Sequence, residues 1–218
     1  MTHLPAQIAL ELWLLRPFAR QFVMLSFLAV MFVSFQDAGP AMVVAMAALT
    51  GSYSFAVTES AHLETLFATL PSTRRVVVMA RYLVIVGILA AAGIAAVVAD
   101  AVKAAISQRP WSPAATLAVI AISFAVASLV IAIQFPFFFR LGYLRARFLT
   151  LVAIAVVGAV IAWLALTLSR NGVVSHAWLE TVTQAPAGWW VAGGLLLGSG
   201  FLVVSAAVSI RLYARKDL

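Results

Sequence analysis

The sequence predicts an all-α membrane protein with six transmembrane helices, preceded by an N-terminal amphipathic helix. Three observations lead to this prediction: 65% of the 218 residues are hydrophobic, only 10% are charged, and the apolar residues are grouped in long runs. Soluble domains are about 45–50% apolar and about 25% charged, so the composition excludes a soluble enzyme and a disordered chain. The chain has no cysteine, which excludes disulfides, thiolate nucleophiles and Cys-based metal sites.

Six apolar segments are long enough to be membrane spans, because a helix needs about 20 mostly apolar residues to cross the hydrocarbon core. They lie at about 18–36, 41–58, 79–99, 114–137, 148–168 and 188–210. The dense apolar run of the first segment extends only from Phe22 to Phe35, so a re-entrant or interfacial segment is the alternative there. We therefore expect residues 1–218 to form a single transmembrane domain.

The basic residues indicate how these spans are oriented. If the N-terminus is cytoplasmic, the outer segments hold only Lys103, Arg109 and Arg170, and the inner segments hold the other eleven of the 14 Lys and Arg residues: Arg16, Arg20, Arg74, Arg75, Arg81, Arg140, Arg145, Arg147, Arg211, Arg215 and Lys216. The positive-inside rule then places both termini in the cytoplasm. The net charge of +7 is explained by this topology, and it does not indicate a nucleic-acid-binding surface.

Residues 1–17 predict a helix that lies on the cytoplasmic surface of the membrane. Apolar residues recur there at helical spacing, at Leu4, Ile8, Leu12 and Leu15. Such a pattern is typical of an interfacial helix, and Pro17 is placed where the chain turns inward. The alternative is that this segment is an extension of the first span.

The sequence contains no motif for chemistry of its own. It has no Gly-Lys pair, so it lacks the phosphate-binding loop that ATP hydrolysis uses. It also lacks the GxSxG and HExxH patterns, and His3, His62 and His176 lie in different segments. The cores of the predicted spans carry no acidic or basic side chain, which disfavours an ion-coupled carrier. We predict no catalytic residue, metal or cofactor in this chain, so energy for any uphill transport comes from another polypeptide.

The loop that follows the second span, at 59–75, has the pattern of a short amphipathic helix. Its apolar residues are spaced i, i+3, i+4 and i+7, at Leu63, Leu66, Phe67 and Leu70, and Pro71 ends the run. A helix of this kind can bind in a hydrophobic groove of a partner protein. The alternative is a helix that lies on the bilayer or on its own bundle, with Arg74 and Arg75 as ordinary positive-inside anchors.

A second cytoplasmic loop follows the fourth span, with Arg140, Gly142, Arg145 and Arg147 as its candidate residues. Pro136 is expected to kink or end this span. Four neighbouring phenylalanines and Tyr143 fit an aromatic belt at the membrane boundary. Gly142 indicates either a tight turn or a continuation of the helix.

The second span carries hydroxyl groups on one face, because Thr50, Ser54 and Thr58 are spaced by four residues. Thr50, Ser54 and the nearby Tyr53 are therefore candidates for a translocation pathway. The alternative is that these hydroxyls form hydrogen bonds between helices.

Small residues form two further faces that favour close helix packing, one through Gly87, Ala91, Ala95 and Ala99 and one at Gly194 and Gly198. We expect both faces to pack within one subunit. Between the fifth and sixth spans, a short outer helix with Trp178, Leu179 and Val182 is a candidate external gate.

Several of these segments resemble type-two ABC exporter permeases. The resemblance to their "E…LPxSRxxxVxxKY" stretch is carried by Glu59, the run from Leu70 to Arg75, and Arg81-Tyr82. A small six-span bacterial subfamily, which includes permeases for phenol-soluble modulins and bacteriocins, has a "(Y/F)P…(K/R)xGxxKAR" segment, which is similar to Phe135-Pro136, Arg140, Gly142 and Arg145-Ala146-Arg147. The tail from Ser209 to Asp217 resembles that subfamily too. Thr73 and Arg81 depart from the family pattern, where a small residue or Ser and a Lys are common.

The resemblance implies the permease subunit of an ATP-binding cassette exporter in the bacterial cytoplasmic membrane. Its cargo would be an amphipathic peptide or a lipophilic small molecule. Two permease subunits, identical or related, would pair with two cytosolic ATPase subunits that bind ATP and Mg. A membrane scaffold or sensor subunit of such a complex is the alternative.

The resemblance also implies roles for two segments. The N-terminal helix at 1–17 would be the elbow helix. The loop at about 59–71 would be the coupling helix that contacts the ATPase. The residues implied in this coupling are Glu59, His62, Leu63, Glu64, Leu66, Phe67, Leu70, Pro71, Arg74 and Arg75.

Overall fold

The computed structural model describes residues 4–16, 39–60, 73–170 and 185–214. Within these ranges the chain forms six helices and no strand, which confirms the all-α prediction for this part of the molecule. The helices are α1 (Leu4–Leu15), α2 (Gly39–Ser60), α3 (Arg74–Ile106), α4 (Pro113–Leu141), α5 (Tyr143–Arg170) and α6 (Ala187–Ala214).

Four of these helices are long and apolar enough to cross a membrane: α3, α4, α6 and the first 18 residues of α5, Tyr143–Val160. In each of their apolar windows, no more than 33% of the residues are buried inside the bundle. Apolar side chains directed outward are what a helix surrounded by lipid presents. These helices contain the predicted spans 79–99, 114–137, 148–168 and 188–210.

The remaining predicted segments have different outcomes. The N-terminal helix predicted at 1–17 corresponds to α1, and the predicted second span, 41–58, lies within α2. The predicted first span, 18–36, and residues 61–72 of the first loop lie outside the described residues. Arg74 and Arg75, which we expected in that loop, are instead the first residues of α3. The following valines, Val77 and Val78, are buried, and this burial favours a helix that begins before them.

Two expectations from the sequence, one for Pro136 and one for Gly142, concern the junction between α4 and α5. Pro136 was expected to kink or end the fourth span; it lies inside α4, which continues to Leu141, so the second of these alternatives is wrong. Phe135, on one side of the proline, is buried in the core, and this packing compensates for the hydrogen bond that proline removes. The helix ends at Gly142, which has φ of +79°, so the tight turn is the correct alternative.

The aromatic residues near this junction form part of the core. The aromatic cluster, as we call it, consists of Phe55, Tyr82, Phe135, Phe138 and Phe139, all of which are buried. The ring centroids of Phe55 and Phe139 are 4.9 Å apart, and those of Tyr82 and Phe135 are 5.1 Å apart, both in edge-to-face geometry. The expected aromatic belt is therefore wrong for the three buried phenylalanines of α4, because their rings pack between helices.

The two small-residue faces differ in what they contact. A Cβ atom placed on Gly194 of α6 would lie 2.5 Å from the carbonyl group of Ala121 in α4, and one on Gly198 would lie 2.5 Å from the Phe124 ring. Glycine is required at Gly194 because the two backbones are so close, whereas at Gly198 the nearest atoms belong to the Phe124 side chain. A Cβ on Gly87 of α3, in contrast, would meet no heavy atom of the described chain within 4 Å. The expected packing of the α3 face is not observed among the described residues.

Candidate coupling site

One end of the bundle, which we call the basic end, carries arginines from four helices. They are Arg74 and Arg75 of α3, Arg140 of α4, Arg145 and Arg147 of α5, and Arg211 of α6. The helix ends are joined there by direct contacts. Arg74 donates hydrogen bonds from Nη1 to the last carbonyl oxygens of α6, those of Tyr213 and Ala214, at 3.1 Å each. The guanidinium group thereby satisfies carbonyls that have no partner within their own helix.

The central contact near this end is a buried ion pair between α3 and α1. The Nε atom of Arg81 donates to Oε1 of Glu11 at 2.8 Å, and the two side chains are only 6% and 1% exposed. A second donor of the same guanidinium, Nη2, bonds Oγ1 of Thr58 in α2 at 2.8 Å. One side chain therefore holds three helices together.

Aromatic rings surround the same guanidinium group. The Cζ atom of Arg81 lies 4.2 Å from the ring centroid of Phe55 and 5.7 Å from that of Phe139. Ring faces attract a cation, and the attraction is strongest where water is excluded. The planar guanidinium can bond two acceptors and stack on a ring at once, whereas a lysine ammonium is a single point charge. These contacts account for arginine at a position where the resembling family commonly has lysine.

We did not predict the pairing of Glu11 with Arg81 from the sequence. In the predicted apolar stripe of α1, Leu12 is 54% exposed, whereas Leu15 is buried. Gln7 and Glu11 are buried as well. Trp13, beside Leu12, is 64% exposed as well. A helix with polar residues inward and apolar residues outward suits a lipid environment, where only a polar group needs a protein partner. The available signal was an acidic residue in a membrane-associated helix together with an arginine at the start of a span.

Glu59, the penultimate residue of α2, contacts the junction between α4 and α5. Its Oε2 atom accepts a hydrogen bond from the backbone N–H of Leu144 at 3.0 Å. Its carboxylate also lies beside Gly142, where an added Cβ would be 3.1 Å from Oε2. The structure therefore brings together two residues that we predicted in separate loops.

A cluster of three hydroxyl groups joins α3 to α6, and through α6 to α4. The hydroxyl of Tyr82 lies 2.6 Å from Oγ of Ser205 and 3.0 Å from Oγ of Ser209. Ser205 in turn donates to the carbonyl oxygen of Ala132 in α4 at 3.0 Å. Every hydroxyl in this group is buried, so these hydrogen bonds replace water that the bundle excludes.

The three pathway candidates do not share one surface. Thr50 and Ser54 are buried, and their hydroxyls donate to carbonyl oxygens of their own helix, those of Ala47 and Gly51. Both line a cavity of about 10 Å³ beside the ion pair, which is near the smallest volume that holds one water molecule. Tyr53 is exposed on a different face. Of the three hydroxyls spaced by four, only Thr58 has a described hydrogen bond to another helix.

The other predicted site residues fall into two groups. Arg75, Arg140, Arg145 and Arg147 are exposed at the basic end, where a partner can reach them. The remaining coupling residues and the gate residues lie outside the described residues; they are His62, Leu63, Glu64, Leu66, Phe67, Leu70, Pro71, Trp178, Leu179 and Val182.

The opposite end of the bundle has a polar cluster of its own, at the turn between α3 and α4. Oδ2 of Asp100 accepts hydrogen bonds from Oγ1 of Thr116 at 2.5 Å and from Nε1 of Trp111 at 3.3 Å. These residues line an open cavity of about 190 Å³ together with Lys103 and Arg109. All of these side chains belong to one helix–turn–helix unit, and the hydrogen bonds that Asp100 makes among the described residues stay within it.

Comparison with protein families gives a match that covers nearly the whole chain. The family model described as "ABC-2 family transporter protein" matches residues 8–214. No curated protein and no solved structure matches the chain. The match begins within α1, ends at the last residue of α6, and includes every helix that forms the basic end. The chain therefore belongs to the ABC-2 transporter family.

Proposed function

We propose that the chain is the membrane-spanning permease subunit of an ATP-binding cassette exporter, in which a separate subunit hydrolyses ATP. The observation that carries this proposal is the family match over residues 8–214. The separate motor follows from the sequence, because no phosphate-binding loop is present in it. ATP and Mg therefore belong to the partner subunit in this proposal.

The proposed permease crosses the membrane six times. Four described helices have the required length and composition, α2 has 22 residues, and the apolar segment 18–36 supplies the remaining span. The gathering of arginines at the basic end supports a cytoplasmic location for that end, and for both termini, in the inner membrane of a bacterium.

The basic end is the proposed docking face for the ATPase. The segment at 59–71 follows α2 directly, and its predicted amphipathic pattern is suited to a groove in the partner. The exposed arginines on the neighbouring loop, among them Arg145 and Arg147, supply positive charge that can steer an acidic partner surface. Helix α1, held to α3 by the ion pair, is the proposed elbow helix.

The proposed cargo is an amphipathic peptide or a lipophilic small molecule, exported by a pair of permease subunits. The cores of the predicted spans lack the acidic and basic groups with which a transporter binds a coupling ion or a small hydrophilic ion. A cargo that already partitions into the membrane needs no such groups. The pair is either a homodimer or a heterodimer with a related permease.

The test is to purify the chain in a mild detergent together with a candidate ATPase encoded by a neighbouring gene. We expect the two proteins to co-purify. After reconstitution into inside-out vesicles, we expect ATP-dependent uptake of a fluorescent amphipathic helical peptide or a lipophilic dye. The matched control is an ATPase whose phosphate-binding lysine is replaced by alanine, which should bind the permease but drive no uptake.

Two results would contradict the proposal in different ways. Failure of any ATPase to co-purify would exclude a motor-driven permease. An ATPase that binds, but whose hydrolysis neither responds to these probes nor moves them, would favour the scaffold or sensor subunit.

A further inference from the structure

Our further inference concerns the contact between Glu59 and the start of α5. The part of it that concerns transport rests on the proposed function. Glu59 is the penultimate residue of α2 and the first residue of the segment at 59–71 that is proposed to dock the ATPase. Its carboxylate, however, bonds the backbone of its own chain, at Leu144. We propose that Glu59 is a positioning residue that joins the two cytoplasmic loops into one mechanical unit and does not itself contact the ATPase.

The position of the carboxylate explains why this contact is strong. Leu144 is the second residue of α5, and its N–H is one of the first four in the helix, which have no acceptor within it. The N-terminal end of a helix also carries a partial positive charge, which attracts a carboxylate. The hydrogen bond is therefore charge-assisted, and such bonds are about twice as strong as neutral ones.

Gly142 has no side chain and therefore leaves space for the same carboxylate. An added Cβ at this position would lie 3.1 Å from Oε2 of Glu59 and 3.3 Å from its Cδ and Oε1 atoms. The backbone of Gly142 has φ of +79°, a conformation that is unfavourable for residues other than glycine. Gly142 is also the only residue between α4 and α5, so a carboxylate held here is connected to both helices.

Aromatic packing reinforces the connection between the end of α2 and this junction. The ring centroid of Phe55 in α2 lies 5.3 Å from that of Phe138 in α4, and Phe138 lies 5.4 Å from Tyr143 at the start of α5. Among the four candidate span windows, that of α5 is the least buried. A displacement at the end of α2 is thus transmitted to α5, whose window has the fewest buried residues in the described bundle.

The first test is amide hydrogen exchange at Leu144 in the purified permease. Glu59→Ala removes the acceptor, and we expect exchange to become faster by about tenfold or more. Glu59→Gln keeps an acceptor oxygen and should restore most of the protection. Gly142→Ala should weaken the protection less than Glu59→Ala, because its methyl group pushes the carboxylate by a few tenths of an ångström and alanine is strained at φ of +79°. Glu64→Gln, in the predicted docking segment, is the matched control and should leave Leu144 unchanged.

The second test measures motion in the complex of permease and ATPase. Because the chain has no cysteine, Leu149→Cys in α5 and Val208→Cys in α6 can be spin-labelled specifically, and both positions are exposed. We expect ATP with vanadate to shift the distance between the labels. Glu59→Ala should abolish this shift while the ATPase still co-purifies, and Glu59→Gln should restore it.

Three results would overturn the inference. One is unchanged exchange at Leu144 in Glu59→Ala, and another is a nucleotide-dependent distance shift that persists in that variant. The third is release of the ATPase by Glu59→Ala with Leu144 still protected, which would make Glu59 a contact residue for the partner. If the unmodified chain binds no ATPase, the proposed function fails, yet the exchange experiment still decides whether Glu59 holds α5.

Discussion

The polar clusters at the two ends of the bundle use similar groups in different surroundings. Arg81 and Glu11 are almost fully buried and join helices that are far apart in sequence. Asp100 bonds Thr116 and Trp111 across a single turn, beside an open cavity. A buried charge without its partner is costly, whereas an exposed one is hydrated. The comparison teaches that only the buried cluster can determine how separate helices are arranged.

The largest effect is expected from Arg81→Ala, which leaves the carboxylate of Glu11 buried without a partner. The loss should be about 3–5 kcal/mol in the free energy of unfolding, the usual cost of breaking a buried ion pair on one side. Titration of the detergent-solubilised protein with a denaturing detergent, followed by circular dichroism, measures this loss.

A double variant separates the charge from the packing. Replacing Arg81 by Met and Glu11 by Leu in the same chain removes both charges and keeps apolar volume, so most of the loss should be recovered. The loss in the free energy of unfolding for Arg81→Lys should lie between the losses for Arg81→Ala and for the double variant. Lysine keeps the charge, but its ammonium group cannot bond Glu11 and Thr58 in the way that the planar guanidinium does. A double variant as unstable as Arg81→Ala would contradict this account of the cluster.

The next largest effect concerns the half of the bundle away from the basic end, where backbone packing joins α4 and α6. Gly194→Ala places a methyl group 2.5 Å from the carbonyl of Ala121 and should destabilise the fold by about 1–3 kcal/mol. Its neighbour Gly193 has open space at the Cβ position, so Gly193→Ala should be neutral or stabilise by up to about 1 kcal/mol. Equal effects of the two variants in the same unfolding assay would exclude close backbone packing at Gly194.

The sequence predicted the helical fold well, because apolar composition and helix length depend on the bilayer and not on tertiary contacts. The described helices coincide with the predicted segments for this reason. Pro136 shows the limit of such reasoning. A proline inside a helix costs a hydrogen bond, but buried neighbours such as Phe135 outweigh that cost, and only the packed structure reveals which residues those neighbours meet.

The candidate site was predicted less completely, since its defining contacts join residues far apart in the chain. The resemblance to known permeases pointed to Glu59, Gly142 and Arg81, but it did not indicate that Glu59 meets Gly142. Glu11 was missed, because residues 1–17 were interpreted as a helix on the membrane surface, where a charged side chain is hydrated and needs no partner within the bundle. Long-range pairs of this kind have no signature at short sequence spacing.

A smaller effect is expected at the Tyr82 hydroxyl, which joins α3 to α6. Tyr82→Phe removes the bonds to Ser205 and Ser209, while Ser205 keeps its bond to Ala132. The expected loss is about 0.5–1.5 kcal/mol in the free energy of unfolding, as for other hydrogen bonds inside membrane bundles. Ser199→Ala in α6 is the control, because this serine bonds only carbonyls of its own helix among the described contacts. A larger loss for Ser199→Ala would contradict the assignment of the interhelical role to Tyr82.

The smallest effect is expected from Asp100→Asn, which removes the charge of the partly buried cluster beside the open cavity. The amide oxygen can still accept the hydrogen bond of Thr116, and the neighbouring Lys103 and Arg109 lie on an open cavity where water and salt screen their charges. The loss should be below about 1 kcal/mol, and raising the salt concentration to about 1 M, where the Debye length is about 3 Å, should abolish it. Arg81→Ala should lose the same stability at both salt concentrations, because its partner is shielded from solvent. If Asp100→Asn destabilised the protein as much as Arg81→Ala, burial would not be the property that distinguishes the two ends of this bundle.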